Sequence, residues 1–220
     1  MAKKTFLQVT NSVLKRLRQG TVATVTETSY STMIGELVNA AMREAEDAWD
    51  WTRLQTTINV TLVAGQTQYA ITGAGDRFRM MDDEMWEDTE EYFIRPQTIR
   101  YIRKMNRQAD ITNNDPAFYA FDGEDSNGDP TFSVTPPPQS ADTVNVDLIV
   151  PTAELSADSD TININWWPIY LRAYALAVSE RGEDGGAGFN EIDLEAKNAL
   201  NDAIAQDAAL QRDQLILDVK

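Results

Sequence analysis

Phe6, Val9, Val13, Leu14 and Leu17 fall on one side of a helical wheel, and Thr5 with Gln8 has the spacing of a capping box. This predicts a helix over 5–18, ended by Gly20. The connection TVATVTETSYS is rich in β-branched residues that resist helix, and predicts a short extended segment. From Ser31, the residues Ile34, Leu37, Val38, Ala41, Ala45, Ala48 and Trp49 return to helical spacing as far as Trp51, with Glu36, Arg43, Glu44, Glu46 and Asp47 on the solvent side.

After residue 55 the period becomes two. Ile58, Val60 and Leu62 alternate with polar neighbours, the chain turns at Ala64 and Gly65, and Tyr69 and Ile71 resume the pattern, which predicts a β-hairpin. Phe78, Met80 and Met81 open another strand. Its expected partner is YFIRP, with DDEMWEDTEE as an acidic excursion between them, and QTIRYIRKMNR (97–107) reads as a short helix with a basic face. AFYAFDGEDSNGDPTFSVTPPP predicts two strands joined by a Gly/Asn/Asp turn, and DTVNVDLIVP one more. Pro136, Pro137 and Pro138 lack N–H donors, so they belong at a sheet edge or between strands.

From 161 the helical pattern returns. Pro168 suits a first helical turn, and Ile169, Leu171, Tyr174, Ala175, Leu176 and Val178 leave Arg172 as the single charge before Ser179. A helix so apolar on all sides is surrounded by other structure. Trp166 and Trp167 at its start are expected to lock the junction between β domain and helices. RGEDGG ends it, and Ile192, Ala196, Leu200 and Ala203 mark a last helix from near Asn190. The order predicts an α+β fold: helices from both chain ends (1–56 and 162–220) forming a bundle, with an antiparallel β-rich domain (57–161) inserted.

Composition narrows the function. The net charge is −16, which opposes tight binding to nucleic acid. With no cysteine, thiolate zinc sites and cysteine nucleophiles are excluded; with no histidine, the usual general base near neutrality is missing. No apolar run is long enough for a membrane span, and the start has no secretory signal pattern, so a soluble protein made in the cytoplasm is expected. No cofactor motif is present. Asp125, Asn127 and Asp129 alternate like the first ligands of a calcium loop, but Pro130 stands where such a loop needs glycine and Pro136 where it needs glutamate. The acidic run Asp82, Asp83, Glu84, Glu87, Asp88, Glu90 and Glu91 reads as a solvated hairpin tip. Against it stand Lys3, Lys4, Lys15, Arg16 and Arg18, five cations in the first 18 residues with no anion among them. That contrast suits charge-complementary assembly, including with another copy of the chain; a simple solvated face is the next reading, and a nucleic-acid-binding arm a weaker third.

Taken in order, FLQVTNSVLKRL, TVATVTETSYSTMIGELVNAAMREAEDAWDW, TLVAGQTQYAI, FDGEDSNGDPTFSVTPPP and LSADSDTININWWPIYLRAYALAVSERGE resemble head-to-tail adaptor proteins of tailed bacteriophages, a group similar to the tail tubular A proteins of short-tailed phages. The likeness runs from about residue 5 to 208. It implies a virion protein of the head–tail junction, assembled in the host cytoplasm, that forms a ring, commonly of twelve copies. Such a ring sits below the portal protein, meets a tail nozzle or tail terminator protein, and passes DNA transiently without holding it. The pattern carries no catalytic residues and no cofactor, and the long acidic tip departs from it.

On this reading Lys15, Arg16, Arg18, Arg100, Arg103 and Lys104 join acidic surfaces of neighbours, and Leu215, Ile216 and Leu217 dock on the portal or an adjacent subunit. The acidic tip faces the lumen or the tail. The competing readings are a virion-associated glycan hydrolase using two carboxylates within 82–91, and a calcium- or carbohydrate-binding tail module. No carboxylate in that run has an apolar pocket evident in the sequence to raise its pKa as such a hydrolase needs.

Overall fold

A computed structural model describes residues 3–108, 112–182 and 187–211. Among these the protein is a mixed α and β structure with five α-helices and an eight-stranded sheet, divided into a helical unit (1–54 with 151–220) and a sheet unit (55–150).

In the helical unit α1 (Phe6–Arg16) starts at a complete capping box: Thr5 Oγ1 accepts from Gln8 N (3.2 Å) and Gln8 Oε1 from Thr5 N (3.3 Å). The connection to α2 (Ser29–Asp47) is a series of turns rather than the expected extended segment. Its backbone polar groups are met by side chains: Asn11 bonds both the N–H and the carbonyl of Val22 (2.9 Å each), and the Asp158 carboxylate accepts from Val25 N (2.8 Å). Gly35 lets α2 approach this connection. A Cβ there would lie 2.6 Å from Val25 Cγ1 and 3.0 Å from Phe6 Cζ.

The apolar helix predicted after residue 161 is α4 (Trp166–Arg181), capped by the Asn165 side chain and stopped by Gly182 in the left-handed region (φ 62°). It packs on α1, α2 and α5 (Ala187–Ala208), with Ile169, Leu171, Ala173, Ala175 and Ala177 all buried. Burying an Ile or Leu of this kind contributes about 1.5–3 kcal/mol. The alanines let neighbouring helix backbones come close. Helix α5 begins three residues before Asn190.

The sheet unit departs most from expectation. Strand β1 (Gln55–Thr61) pairs antiparallel along its whole length with β8 (Thr143–Ile149), and β2 (Gln68–Ala70) pairs with β7 (Pro130–Thr135), so the hairpin predicted over 58–71 does not form. Val144, Val146 and Leu148 offer β1 an alternating buried face that local pairing with the short β2 cannot match. The chain between them loops round Tyr69, whose hydroxyl donates to Gln66 O (2.8 Å) and accepts from Val63 N (3.1 Å).

The partner expected for residues 78–81 also changes. Strand β3 (Arg79–Met80) pairs with β8, while β4 (Met85–Glu87), inside the acidic run, pairs with both β8 and β5 (Tyr92–Pro96). The order is β1-β8-β4-β5-β6-β7-β2, with β6 at Phe118–Glu124. Strands β5 and β6 are parallel, and α3 (Ile99–Asn106) supplies the crossover that parallel neighbours require. Residues 136–138 follow β7, as their missing donors demand; Pro137 and Pro138 carbonyls accept from Asn114 N and Gly65 N (2.8 and 2.9 Å). One core of Val60, Leu62, Tyr69, Ile71, Met85, Ile94, Tyr119, Phe132 and Val134 with the inward residues of β8 serves the whole sheet.

Candidate assembly surfaces

At the end of α1, Arg16 and Arg18 border a cleft rather than a flat face. Lys15 is exposed and points to solvent. Arg16 is half-buried: its guanidinium lies 4.4 Å from the Tyr174 ring centre and 5.7 Å from that of Tyr170, and it pairs with Glu195 at 3.2 Å. Arg18 follows the helix in a left-handed conformation (φ 58°), the place where glycine or asparagine usually ends a helix. Arg16 and Arg18, together with Gln19, Arg181 and the apolar side chains of Tyr174, Val178 and Ile192, bound a cleft of about 360 Å³.

The second basic group lies in the sheet unit. Arg100 and Lys104 are exposed on α3, whereas Arg103 is held by the Asp122 carboxylate, which also accepts from Ser133 Oγ (2.8 Å). Burial alone would raise the Asp122 pKa; the Ser133 hydroxyl and the Arg103 guanidinium outweigh it and keep the group below the usual carboxylate range. Arg103 is therefore an internal tie between α3 and the sheet.

The acidic run separates into three environments. Asp82 and Asp83 are exposed and Glu84 half-buried before β4, with Glu84 paired to Arg95 (3.3 Å). Glu87 is fully buried, and its carboxylate accepts from Thr89 N (2.9 Å) and Glu90 N (2.7 Å), so it braces the turn instead of decorating it. Asp88, Glu90 and Glu91 are exposed at that turn. Beside them Trp86 and Phe93 face each other across β4 and β5 (ring centres 4.8 Å), with Phe93 52% exposed. The hairpin thus presents anions next to an aromatic pair.

The would-be calcium loop is a closed turn. Asp125 Oδ1 accepts from Asn127 N (2.8 Å) and Asp129 N (3.0 Å), which lowers the Asp125 pKa, and Asp129 Oδ1 accepts from Gly73 N (3.0 Å). Both carboxylates are already engaged by the backbone. Among the described residues no three acidic side chains converge on a possible metal position. Leu215, Ile216 and Leu217 lie outside the described residues.

A family model described as SU10 adaptor protein matches residues 4–216. The chain belongs to the SU10 adaptor family, a family of phage head-to-tail adaptors. No curated protein matches it. An SU10 adaptor is a structural virion component that interacts with portal and tail parts, and no described helix is long and apolar enough to cross a membrane.

Several groups that organise this adaptor carry no clear sequence signal. Glu46, expected on the solvent face of α2, is fully buried and accepts from Thr152 N (3.2 Å). Arg172 grips Glu44 with two nitrogens (2.6 and 3.0 Å) and Asp193 with a third (2.6 Å), joining α2, α4 and α5. Asp207 Oδ2 accepts from Thr52 N, Thr52 Oγ1, Trp49 Nε1 and Gln211 Nε2, at 2.9 to 3.2 Å. Trp166 packs within the helical unit, against Trp167 (5.6 Å), Tyr170 (6.1 Å) and the Lys4 ammonium (5.4 Å). In Arg181 the cleft has a third guanidinium that joins Arg16 and Arg18 only once α4 has folded onto α1.

Proposed function

We propose that this adaptor is the subunit of a ring, of twelve copies, that binds below the portal and extends the DNA channel to the tail nozzle or tail terminator protein. The family match over residues 4–216 carries this reading. Helices from both ends of the chain form the bundle that clamps the portal. Lys15, Arg16, Arg18, Arg100 and Lys104 meet acidic surfaces of neighbours, and Leu215, Ile216 and Leu217 dock on the portal or an adjacent copy. Asp82 and Asp83, the exposed acids ahead of β4, face the lumen or tail.

The net charge of −16 suits that role, since phosphates passing an acidic wall find few counter-charges to hold them. DNA passes without tight binding. The ring is placed at the head–tail junction of a virion assembled in the host cytoplasm, and it performs no catalysis. Purified adaptor mixed with portal assemblies and imaged by electron microscopy tests the proposal. A ring bound to one end of the portal is the expected result; portals that stay bare over a wide range of adaptor concentration would overturn it.

A further inference from the structure

We propose that the arginine-rimmed cleft at the end of α1 receives the acidic, aromatic β4–β5 hairpin of a second copy; this rests on the ring reading and names the contact between its subunits. A chain of net charge −16 repels its own copies, so association needs a local patch of opposite sign. The cleft is such a patch. Arg16, Arg18 and Arg181 stand around a floor of Tyr174, Val178 and Ile192; Arg16 is already paired with Glu195 and Arg181 donates to Leu17 O (3.3 Å), which leaves Arg18 as the charge on the rim for a partner.

Arg16 is oriented there by the ring face of Tyr174. Arg18 holds a left-handed backbone that is unfavourable for a residue with a Cβ, and among the described residues its guanidinium has no partner. Arginine rather than glycine at that position places a charge on the rim at the expense of local comfort.

The hairpin complements both features of the cleft. Asp88, Glu90 and Glu91 are exposed at its turn to meet the guanidiniums, and Phe93, 52% exposed beside Trp86, supplies an apolar group for the floor. A nucleic-acid backbone would satisfy the arginines but leave the apolar floor without a partner. Cleft and hairpin are different patches of one chain, so the contact is heterologous and head-to-tail, the kind that propagates until a rotation closes it into a ring.

The absence of cysteine makes a disulfide test clean. Full-length Gln19→Cys, on the cleft wall, and Thr89→Cys, in the hairpin turn, are mixed under mild oxidation. Circular dichroism of each variant verifies its fold, and the control pair is Thr89→Cys with Ser156→Cys, another exposed position. The expected result is intermolecular cross-linking at least about tenfold faster than the control, slowed to the control rate by Arg18→Glu on the cleft chain. Glu90→Arg on the hairpin chain should then restore it, because charges within a few ångströms that are swapped as a pair keep their attraction.

Cross-linking no faster than the control, or indifferent to Arg18→Glu, overturns the proposal. So does loss of the cross-link on adding a short DNA duplex at physiological salt, which would assign the cleft to phosphate. Because the assay contains no portal, a ring on the portal without this cross-link sinks only the contact. The cross-link with bare portals sinks only the ring reading.

Discussion

Replacing Asp207 with alanine removes a buried acceptor that ties the end of α5 to the segment leading out of α2. Its Oδ2 takes the Thr52 N–H at 2.9 Å, the Thr52 hydroxyl at 3.1 Å, and the Trp49 indole N–H and Gln211 amide at 3.2 Å each. Hydrogen bonds to a charged group contribute about 1.5–3 kcal/mol each, but four donors on one oxygen share its charge and do not add. The Thr52 hydroxyl and the Gln211 amide can turn to water, while the Thr52 backbone and the Trp49 indole are fixed in place. Two lost bonds therefore set the scale, and Asp207→Ala should destabilise the helical unit by about 2–4 kcal/mol. Asp207→Asn, which keeps an oxygen acceptor, should lose about half as much.

Urea unfolding followed by tryptophan fluorescence reads this unit selectively, because Trp49, Trp51, Trp166 and Trp167 lie in it and only Trp86 lies in the sheet unit. A shift of Asp207→Ala within about 0.5 kcal/mol of wild type, the range of ordinary surface substitutions, would refute the reasoning.

Other expectations follow from single contacts. Gly35→Ala should gain about 1 kcal/mol in helix propensity yet lose about 1–3 kcal/mol by crowding Val25 and Phe6, so the same urea titration should show net destabilisation; a stabilised variant would contradict the packing described. Arg172→Met should destabilise by about 1–2 kcal/mol, below the full loss of a bidentate pair because Lys197 remains on Asp193 (2.7 Å), and Glu44→Gln should cost less.

At alkaline pH, burial first and then the Asp83 charge raise the Tyr119 pKa to about 12, while burial followed by Glu87 and other carboxylates raise that of Tyr92 further. A raised folded pKa stabilises below the unfolded value near 10 and is lost as pH climbs through the folded value. Burial also raises the Tyr69 pKa, so sheet-unit stability should fall above pH ~10, and tyrosinate absorbance should show three late groups that appear together with unfolding. Their titration with the other tyrosines in a still-folded protein would contradict the burial described.

What was legible in the sequence was local. The capping box at Thr5 and the apolar run through Leu171 and Ala175 are decided by residues within a few positions of each other, and α1 and α4 formed where expected. The pairing of β1 with β8 joins residues 55–61 to 143–149, and no local pattern distinguishes it from a hairpin with β2. Strand β4 was hidden because Met85 and Glu87 point inward between acids that look solvated. Buried acids are invisible for a related reason. Glu46 finds its N–H donor at Thr152, 106 residues away, so its charge defaults to the surface in any sequence reading.

The same limit applies to the candidate surfaces. Arg16 and Arg18 stood out as part of a basic start, whereas Arg181 and the apolar floor come from other helices. The Asp122 carboxylate that holds Arg103 comes from β6, a partner no nearby residue announces.

The proposed role of this SU10 adaptor is a ring at the head–tail junction. Its most direct test is electron microscopy of the purified phage particle with the copies of this chain located and counted. A closed ring of twelve copies between portal and tail is the expected result. Copies confined to the tail tip, or a particle that lacks the protein, would contradict it.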